Sequence, residues 1–246
     1  MKNTFCNLSK ILAVSVLFLL TGCGIPSVHP LYEQEDLIKH ENLTGTWENE
    51  NGNSSYAVMP VEDLRLMTEA SSERMVLPHE PFAAENDGLE TEIAMSDEIV
   101  EFLRELEEKG LGNSYLVQEL QNPENVYLAG LIELDNGFYL DFSKINVDSD
   151  SFMFPVHIFM KTTFNDDELK FHMFSEDWLR ELISNRQVRI SHEMTMFDRF
   201  LLTASASELQ KFVAKYGDMD EAIRDTDTYK KISPVAEFIL EELEEE

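Results

Sequence analysis

A short turn between two apolar runs is the sequence feature that most restricts the fold of this chain. Residues 127–134 and 138–142 are separated only by Asp135, Asn136 and Gly137. Asn-Gly pairs readily adopt the positive φ angles that tight hairpin turns require, so this turn predicts two antiparallel strands. The chain must therefore contain an antiparallel sheet, against which its other elements pack.

Two further segments have the same hairpin pattern. Residues 43–47 lead into residues 54–59 through an Asn-Gly-Asn turn, and residues 156–163 lead into residues 168–174 through an Asn-Asp-Asp turn. Apolar and polar residues alternate in the last of these strands, which is typical of one buried and one exposed face. A further strand is predicted over residues 197–203 and is expected to close the sheet.

Four segments have helix patterns. The helices are predicted to begin at Ser96, Ser175, Ser205 and Ser233. A serine side chain accepts hydrogen bonds from the first turn of a helix, and Ser205 with Glu208 forms a capping box. Apolar residues then recur at spacings of three and four, so each helix has one face to bury.

These patterns predict an α+β fold, either an antiparallel sheet or a partly closed β-barrel of hairpins, with three to four peripheral helices. Residues 43–246 form a single sheet-rich domain in this interpretation. An insertion over about residues 60–121 is expected to be irregular or helical. Its first part, from Pro60 to Glu90, is predicted to hold at most short strands, because prolines interrupt it.

The N-terminus has the layout of a secretory signal peptide. Lys2 and Lys10 precede an uncharged apolar run from Ile11 to Leu20. A transmembrane helix needs about 20 apolar residues, so this run is too short to cross a membrane. We therefore predict that residues 1–22 are a leader that is removed on export.

The end of this run resembles the lipobox of bacterial lipoproteins. The matching residues are Leu20, Thr21, Gly22 and Cys23. The resemblance implies a diacylglyceryl cysteine at Cys23, which becomes the first residue of the mature chain and anchors it in a membrane. Because Gly24 follows, the resemblance also implies the outer membrane, facing the periplasm, where the host has two membranes. Residues 23–42 contain prolines and few apolar residues, which predicts a tether.

The mature chain has no free thiol, because Cys6 leaves with the leader and Cys23 is acylated. This excludes a thiol nucleophile, a disulfide and a cysteine-based zinc site. Of the 19 basic residues two leave with the leader, and the remaining 17 face 48 acidic residues. So acidic a surface repels phosphate, which excludes nucleic acid as a partner.

Candidate metal ligands and catalytic residues are few. His157 and His172 lie on neighbouring predicted strands, and a buried, hydrogen-bonded His157 beside a solvated His172 is the favoured interpretation. The acidic residues from Asp218 to Asp227 lack the glycine and the spacing of an EF-hand loop. We therefore expect no metal site, no cofactor and no catalytic apparatus. The alternative is an enzyme whose site is assembled from distant residues.

Longer segments resemble a family of uncharacterised bacterial lipoproteins. The start of that family's domain is similar to Ser27–Tyr32 (SVHPLY) and Leu43–Trp47 (LTGTW). The likeness continues over residues 129–142, 155–161 and 201–209. Members of the family share the lipobox and this domain, and the resemblance implies no particular activity.

The tripeptide Gly45-Thr46-Trp47 also resembles the Gly-x-Trp start of lipocalins and fatty-acid-binding proteins. This resemblance implies that Trp47 plugs one end of a closed antiparallel barrel. Aromatic residues on the predicted strands are then candidates to line a ligand site, namely Trp47, Tyr127, Phe138, Phe159 and Phe171. Helices that cover the sheet use the apolar face that a ligand would need. A packed interior is therefore the favoured interpretation, and an open cavity is the alternative.

The sequence therefore predicts a membrane-anchored lipoprotein that binds a partner or has a structural role in the cell envelope. Its expected partners are the membrane, through the lipid on Cys23, and either an envelope protein or a small apolar ligand. The first alternative is a lipocalin-like carrier of such a ligand, and the second is an enzyme.

Overall fold

The computed structural model describes residues 24–74, 97–145, 156–196 and 198–234. Within them the strands are β1 (Pro26–Ser27), β2 (Gly45–Asn49), β3 (Ser55–Pro60), β4 (Tyr115–Glu119), β5 (Val126–Leu134), β6 (Gly137–Ile145), β7 (His157–Phe164), β8 (Glu168–Phe174), β9 (His192–Met194), β10 (Phe200–Leu202) and β11 (Ile223–Ser233). The helices are α1 (Val61–Arg74), α2 (Asp97–Glu108), α3 (Glu176–Ser184) and α4 (Ala206–Tyr216).

Eight of these strands close into an antiparallel barrel. Strands β2 to β8 pair in sequence order, and β11 lies between β8 and β2. The pairing of β6 with β7 completes the ring; it places Phe138 opposite Thr162 and Ser143 opposite His157. The predicted α+β fold with a barrel of hairpins is confirmed, and the barrel is closed.

The three predicted hairpins are present as β2–β3, β5–β6 and β7–β8. Local turn chemistry accounts for this agreement. In the β5–β6 turn, Gly137 has a φ of 125°, a conformation that a side chain disfavours. The glycine therefore sets both the turn and the register of the strands on either side.

Helices α2, α3 and α4 confirm three of the predicted helices. The Ser175 hydroxyl accepts a hydrogen bond from the Trp178 N–H at 3.2 Å at the start of α3, and the capping box that begins at Ser205 is formed. The prediction that Pro60 to Glu90 has at most short strands is wrong for α1. Acidic residues in the first turn of α1 favour the helix dipole. Ser233 ends β11 instead of beginning a helix, and residues 235–246 of the predicted helix lie outside the described residues.

The closing strand is β11, so the prediction that residues 197–203 close the sheet is wrong. Residues 200–202 form β10, which pairs with β1 and β9 outside the barrel. In β11, Tyr229 lies opposite Asn49 of β2 and Leu169 of β8. The sequence pattern does not predict β11, because most of its residues are polar or charged.

Apolar residues are buried in three layers. The first lies inside the barrel around Trp47 and Tyr115. The second lies outside the barrel beneath α3, α4 and the N-terminal segment, and it includes Phe159 and Phe174. The third lies between strands β3 and β4 and helices α1 and α2, around Leu103. The helices therefore cover the outside of the barrel and leave its interior to the strands.

The N-terminal segment packs on the barrel, so the predicted tether is wrong for residues 24–42. Ile25 is 1% exposed and Leu31 is fully buried. Strand β1 pairs with β7, and the Leu31 N–H donates to Oδ2 of Asp141 at 2.8 Å. The sequence pattern hides this burial, because an irregular extended segment has no helical or strand periodicity.

Candidate functional site

A short segment of the chain closes one end of the barrel. Residues Glu41–Leu43 form a 3₁₀ helix there, and Nε1 of Trp47 donates to the Leu43 carbonyl at 2.9 Å. The Lys231 ammonium lies 4.7 Å from the centre of the Trp47 ring. Burial lowers the pKa of this lysine. Trp47 therefore seals this end with its indole N–H already bonded.

His40 fixes the closing segment to the strands. The Tyr115 hydroxyl accepts from the His40 N–H at 2.6 Å and donates to the His40 carbonyl at 3.2 Å. Burial raises the pKa of Tyr115 to about 12. The imidazole of His40 packs edge-on against Phe164, with ring centres 4.8 Å apart. We call the region formed by His40, Leu43, Trp47 and Tyr115 the closed end of the barrel.

The middle of the barrel contains a cavity of about 210 Å³. Every barrel strand contributes to its wall, which is mainly aliphatic and aromatic. Residues from six of these strands include Trp47, Val58, Ala129, Leu140, Ile158 and Leu169. An apolar cavity of about 150 Å³ is known to hold benzene, so this cavity has room for a ligand of that size or slightly larger.

Aromatic rings surround the cavity at its other end. Tyr56 and Tyr229 pack edge-to-face with ring centres 5.8 Å apart. Tyr229 also contacts Phe171 at 5.5 Å, and Phe171 contacts Phe142 at 5.7 Å. Edge-to-face contacts are the preferred packing of aromatic rings, so these contacts hold the rings in place. We call this region the open end.

Two carboxylates lie at the open end. Asp227 lines the cavity and is exposed, so the cavity reaches solvent here. Glu119 is only 7% exposed, and its carboxylate accepts hydrogen bonds from the side-chain amides of Asn122 at 3.0 Å and Asn125 at 2.8 Å. Two neutral side-chain amides therefore hold the Glu119 carboxylate in place.

The titration of the open end follows from burial and negative neighbours. Burial raises the pKa of Tyr127 to about 12, and Tyr56 and Glu119 add to the rise. Burial also raises the pKa of Tyr229, with further contributions from Tyr56 and Asp227. The pKa of Asp227 is itself raised, first by partial burial and then by Asp225. The tyrosine hydroxyls therefore remain protonated near neutral pH.

Three of the predicted ligand-lining residues lie at the cavity. Trp47, Tyr127 and Phe171 all contribute to its wall. Each is on a different barrel strand, with Trp47 towards the closed end and Tyr127 and Phe171 towards the open end. The aromatic residues of the predicted strands therefore identify part of the cavity wall.

The other two predicted residues do not line the cavity. Phe138 packs at the closed end against Phe164, with ring centres 5.0 Å apart. Phe159 lies in the outer layer against Phe174, at 5.9 Å. Successive residues of a strand point to opposite faces, so on β7 it is the neighbours of Phe159 that face the interior.

The sequence pattern missed the polar residues of the open end. Asp227 and Tyr229 lie on β11, which was not predicted as a strand, and Tyr56 lies on a predicted strand without being identified as a site residue. A Tyr two residues after an Asp matches the two-residue repeat of a strand, and this is the signal that points to a shared interior face.

Neither His157 nor His172 lines the cavity. Nδ1 of His157 lies 2.6 Å from Oδ1 of Asp141, whose other oxygen binds the N-terminal segment. His172 contacts the hydroxyls of Thr163 and Thr226 on neighbouring strands. The two histidines therefore have separate partners, and that of His157 holds the N-terminal segment on the barrel.

No group of three or more His, Cys, Asp or Glu side chains is placed to hold a metal ion in the part of the chain that the structure describes. No described helix is long and apolar enough to span a membrane. Leu20, Thr21, Gly22 and Cys23 lie outside the described residues.

Comparison with known proteins identifies no relative of this chain. No protein-family model, curated protein or solved structure matches it. Its class therefore follows from its own geometry, which is a closed eight-stranded antiparallel barrel around an apolar cavity.

Proposed function

We propose that this chain is a membrane-anchored barrel protein that binds a small, largely apolar ligand in its interior. The cavity of about 210 Å³ is the observation that carries the proposal. Its wall is almost entirely apolar, and burial of apolar ligand surface against such a wall is favourable by about 25 cal/mol per Å².

Calorimetric titration with 2-phenylethanol tests this proposal. The protein is the mature chain, residues 23–246, with Cys23→Ala so that it is obtained without lipid. We expect saturable binding of one ligand per chain. The variant Ala129→Leu, which places a larger side chain in the cavity, is expected to weaken binding at least tenfold. Absence of binding to the parent chain, or equal binding to both, contradicts the proposal.

The proposed anchor is the lipid on Cys23. It is supported by the apolar run and the lipobox-like residues Leu20 to Cys23. Cys23→Ala is expected to remove fatty-acid labelling and to release the protein from membranes. Cys6→Ala is the matched control and is expected to change neither, because Cys6 lies in the leader. Labelling and membrane association that survive Cys23→Ala contradict a lipid anchor at this residue.

The fold leaves little distance between this anchor and the barrel. Gly24, the next residue, is buried, and a Cβ atom added to it lies only 2.6 Å from Cγ2 of Ile158. Since Cys23 is bonded directly to Gly24, no flexible spacer separates the lipid from the folded domain. The barrel is therefore held at the membrane surface.

A second candidate role, docking of the β9–β10 hairpin on the same membrane, is favoured by its exposed methionines. Met196 is 90% exposed and Met194 is 42% exposed. Strand β1 runs parallel to β10, so the chain leading back to Cys23 leaves at the end of β10 that carries the hairpin turn. An exposed apolar tip beside a lipid anchor suits contact with the bilayer.

Fluorescent labelling tests this membrane contact. Met196→Cys, labelled with nitrobenzoxadiazole in the lipidated protein, is expected to shift its emission to the blue on reconstitution into vesicles. Met67→Cys on α1, a residue that is 55% exposed, is the matched control and is expected to show no shift. Identical responses at both positions contradict docking through the hairpin.

A further inference from the structure

The charges at the open end are not balanced. Arg224 contacts Asp225, and the Lys144 ammonium donates to Oδ1 of Asn125 at 2.7 Å. The charge of Arg224 also acts on Asp227 and lowers its pKa, but burial and the neighbouring Asp225 outweigh this effect, so the pKa of Asp227 is raised overall. Asp227, which lines the cavity and is exposed, is therefore the carboxylate that an incoming cation meets at the open end.

The aromatic rings add a second attraction for a cation. Tyr56 and Tyr229 contact each other at the mouth, and Tyr127 lines the same end. An ammonium group is attracted to the negative face of an aromatic ring, most strongly where water is partly excluded. Because these rings stand beside Asp227, the two attractions act at one place.

The cavity beyond the mouth selects for an apolar body. Its wall towards the closed end is formed by residues such as Val117, Leu140 and Leu169. The residues that line this part of the cavity carry no charge. The nearby Lys231 does not line the cavity, and its ammonium group donates to the Asn42 carbonyl at 2.8 Å. A ligand that fits both parts has a small apolar body and a polar head.

We propose that the ligand is a small organic amine, with its apolar body in the cavity and its ammonium group between Asp227 and the tyrosines of the open end. This inference rests on the proposed ligand-binding function and names the class of ligand. It also disfavours fatty acids, because a carboxylate at the open end is repelled by Asp227. The acidic chain as a whole attracts cations and speeds their approach.

Three ligands with the same phenylethyl body and different heads test the proposal. They are phenethylamine, 2-phenylethanol and 3-phenylpropionate, titrated into residues 23–246 with Cys23→Ala. We expect phenethylamine to bind about tenfold more tightly than the alcohol, and phenylpropionate to bind more weakly than both. A tenfold ratio corresponds to about 1.4 kcal/mol.

The variant Asp227→Asn assigns the preference to a residue. It is expected to bring the amine to the affinity of the alcohol and to leave the alcohol unchanged. The matched control is Asp166→Asn, which removes an exposed carboxylate from the turn between β7 and β8, at the opposite end of the barrel. This control is expected to keep the tenfold preference.

The outcomes separate this inference from the function on which it rests. Binding of the alcohol without any preference for the amine, or a preference that survives Asp227→Asn, overturns the amine assignment and leaves the binding function standing. Failure of all three ligands overturns the binding function itself.

The same ammonium chemistry occurs in a lipid headgroup. Competition with dihexanoyl phosphatidylethanolamine, below its micelle concentration, distinguishes the two sources. Because the cavity is small, we expect the lipid not to displace phenethylamine. Displacement by the lipid at equal concentration overturns the assignment to a small free amine.

Discussion

Replacing Ala129 with Leu tests whether the barrel interior is open. Ala129 is 1% exposed and lines the cavity between Tyr115 and Phe142 on the neighbouring strands. The change adds three carbon atoms, each of which contributes about 0.8 kcal/mol when buried. Ordering the leucine side chain costs about 0.5–1 kcal/mol. We therefore expect the free energy of unfolding to rise by about 1.5 kcal/mol.

The same substitution in a packed layer has the opposite sign. Ala57 is fully buried, with Met59 and Leu116 in the layer under α1 and α2, and it does not line the cavity. Extra atoms in a packed core cost about 1–3 kcal/mol, so Ala57→Leu is expected to destabilise the chain by that amount. Urea denaturation followed by circular dichroism measures both changes. Similar losses of stability in the two variants refute the reasoning.

Three further changes test separate parts of the structure. Asp227→Asn is expected to raise the free energy of unfolding at neutral pH. Because the pKa of Asp227 is raised in the folded chain, the parent loses stability as pH rises through that pKa. Denaturation curves recorded across pH should therefore show the advantage of the variant vanish below the ordinary pKa of 3.8. Asp141→Ala is expected to cost about 3 kcal/mol in urea denaturation, because the Leu31 N–H and the His157 ring lose their acceptor; unchanged stability speaks against this contact. Phe159→Ala is expected to cost about 3–5 kcal/mol and to leave ligand affinity unchanged, since the ring lies outside the barrel; calorimetry showing a loss of affinity disproves that placement.

The hairpins were predictable because their signals are local. The turn residues between β5 and β6, and the capping box that begins at Ser205, specify structure within a few residues of themselves. The closure of the barrel depends instead on contacts between strands that are far apart in sequence. Lys231 of β11 lies opposite Trp47 of β2, and no local pattern near either residue indicates that pairing.

The closing strand and the open end were missed for a related reason. A barrel strand is usually recognised by alternating apolar residues that face the interior. In β11 the interior positions towards the mouth are polar, and Asp227 is one of them. The residue that gives the cavity its charge is therefore also the residue that makes its strand hard to recognise.

The cavity itself could not be predicted from the sequence. Aromatic and aliphatic residues along the hairpins are compatible with a filled interior and with an open one, because packing depends on how side chains from all eight strands meet. Tyr127 and Phe159 have the same aromatic character, yet one lines the cavity and the other lies outside the barrel. The position of each residue relative to the strand pleat decides this.

Methyl-resolved NMR of residues 23–246 with Cys23→Ala, titrated with 2-phenylethanol, tests the central claim most directly. Methyl groups that line the cavity, such as those of Ala129, Ile158 and Met160, are expected to shift in a saturable manner. Methyl groups of the outer layers, such as those of Leu103 and Leu179, are expected to stay unchanged. Shifts confined to surface methyl groups, or no saturable shift at all, contradict a barrel that holds a small apolar ligand in its interior.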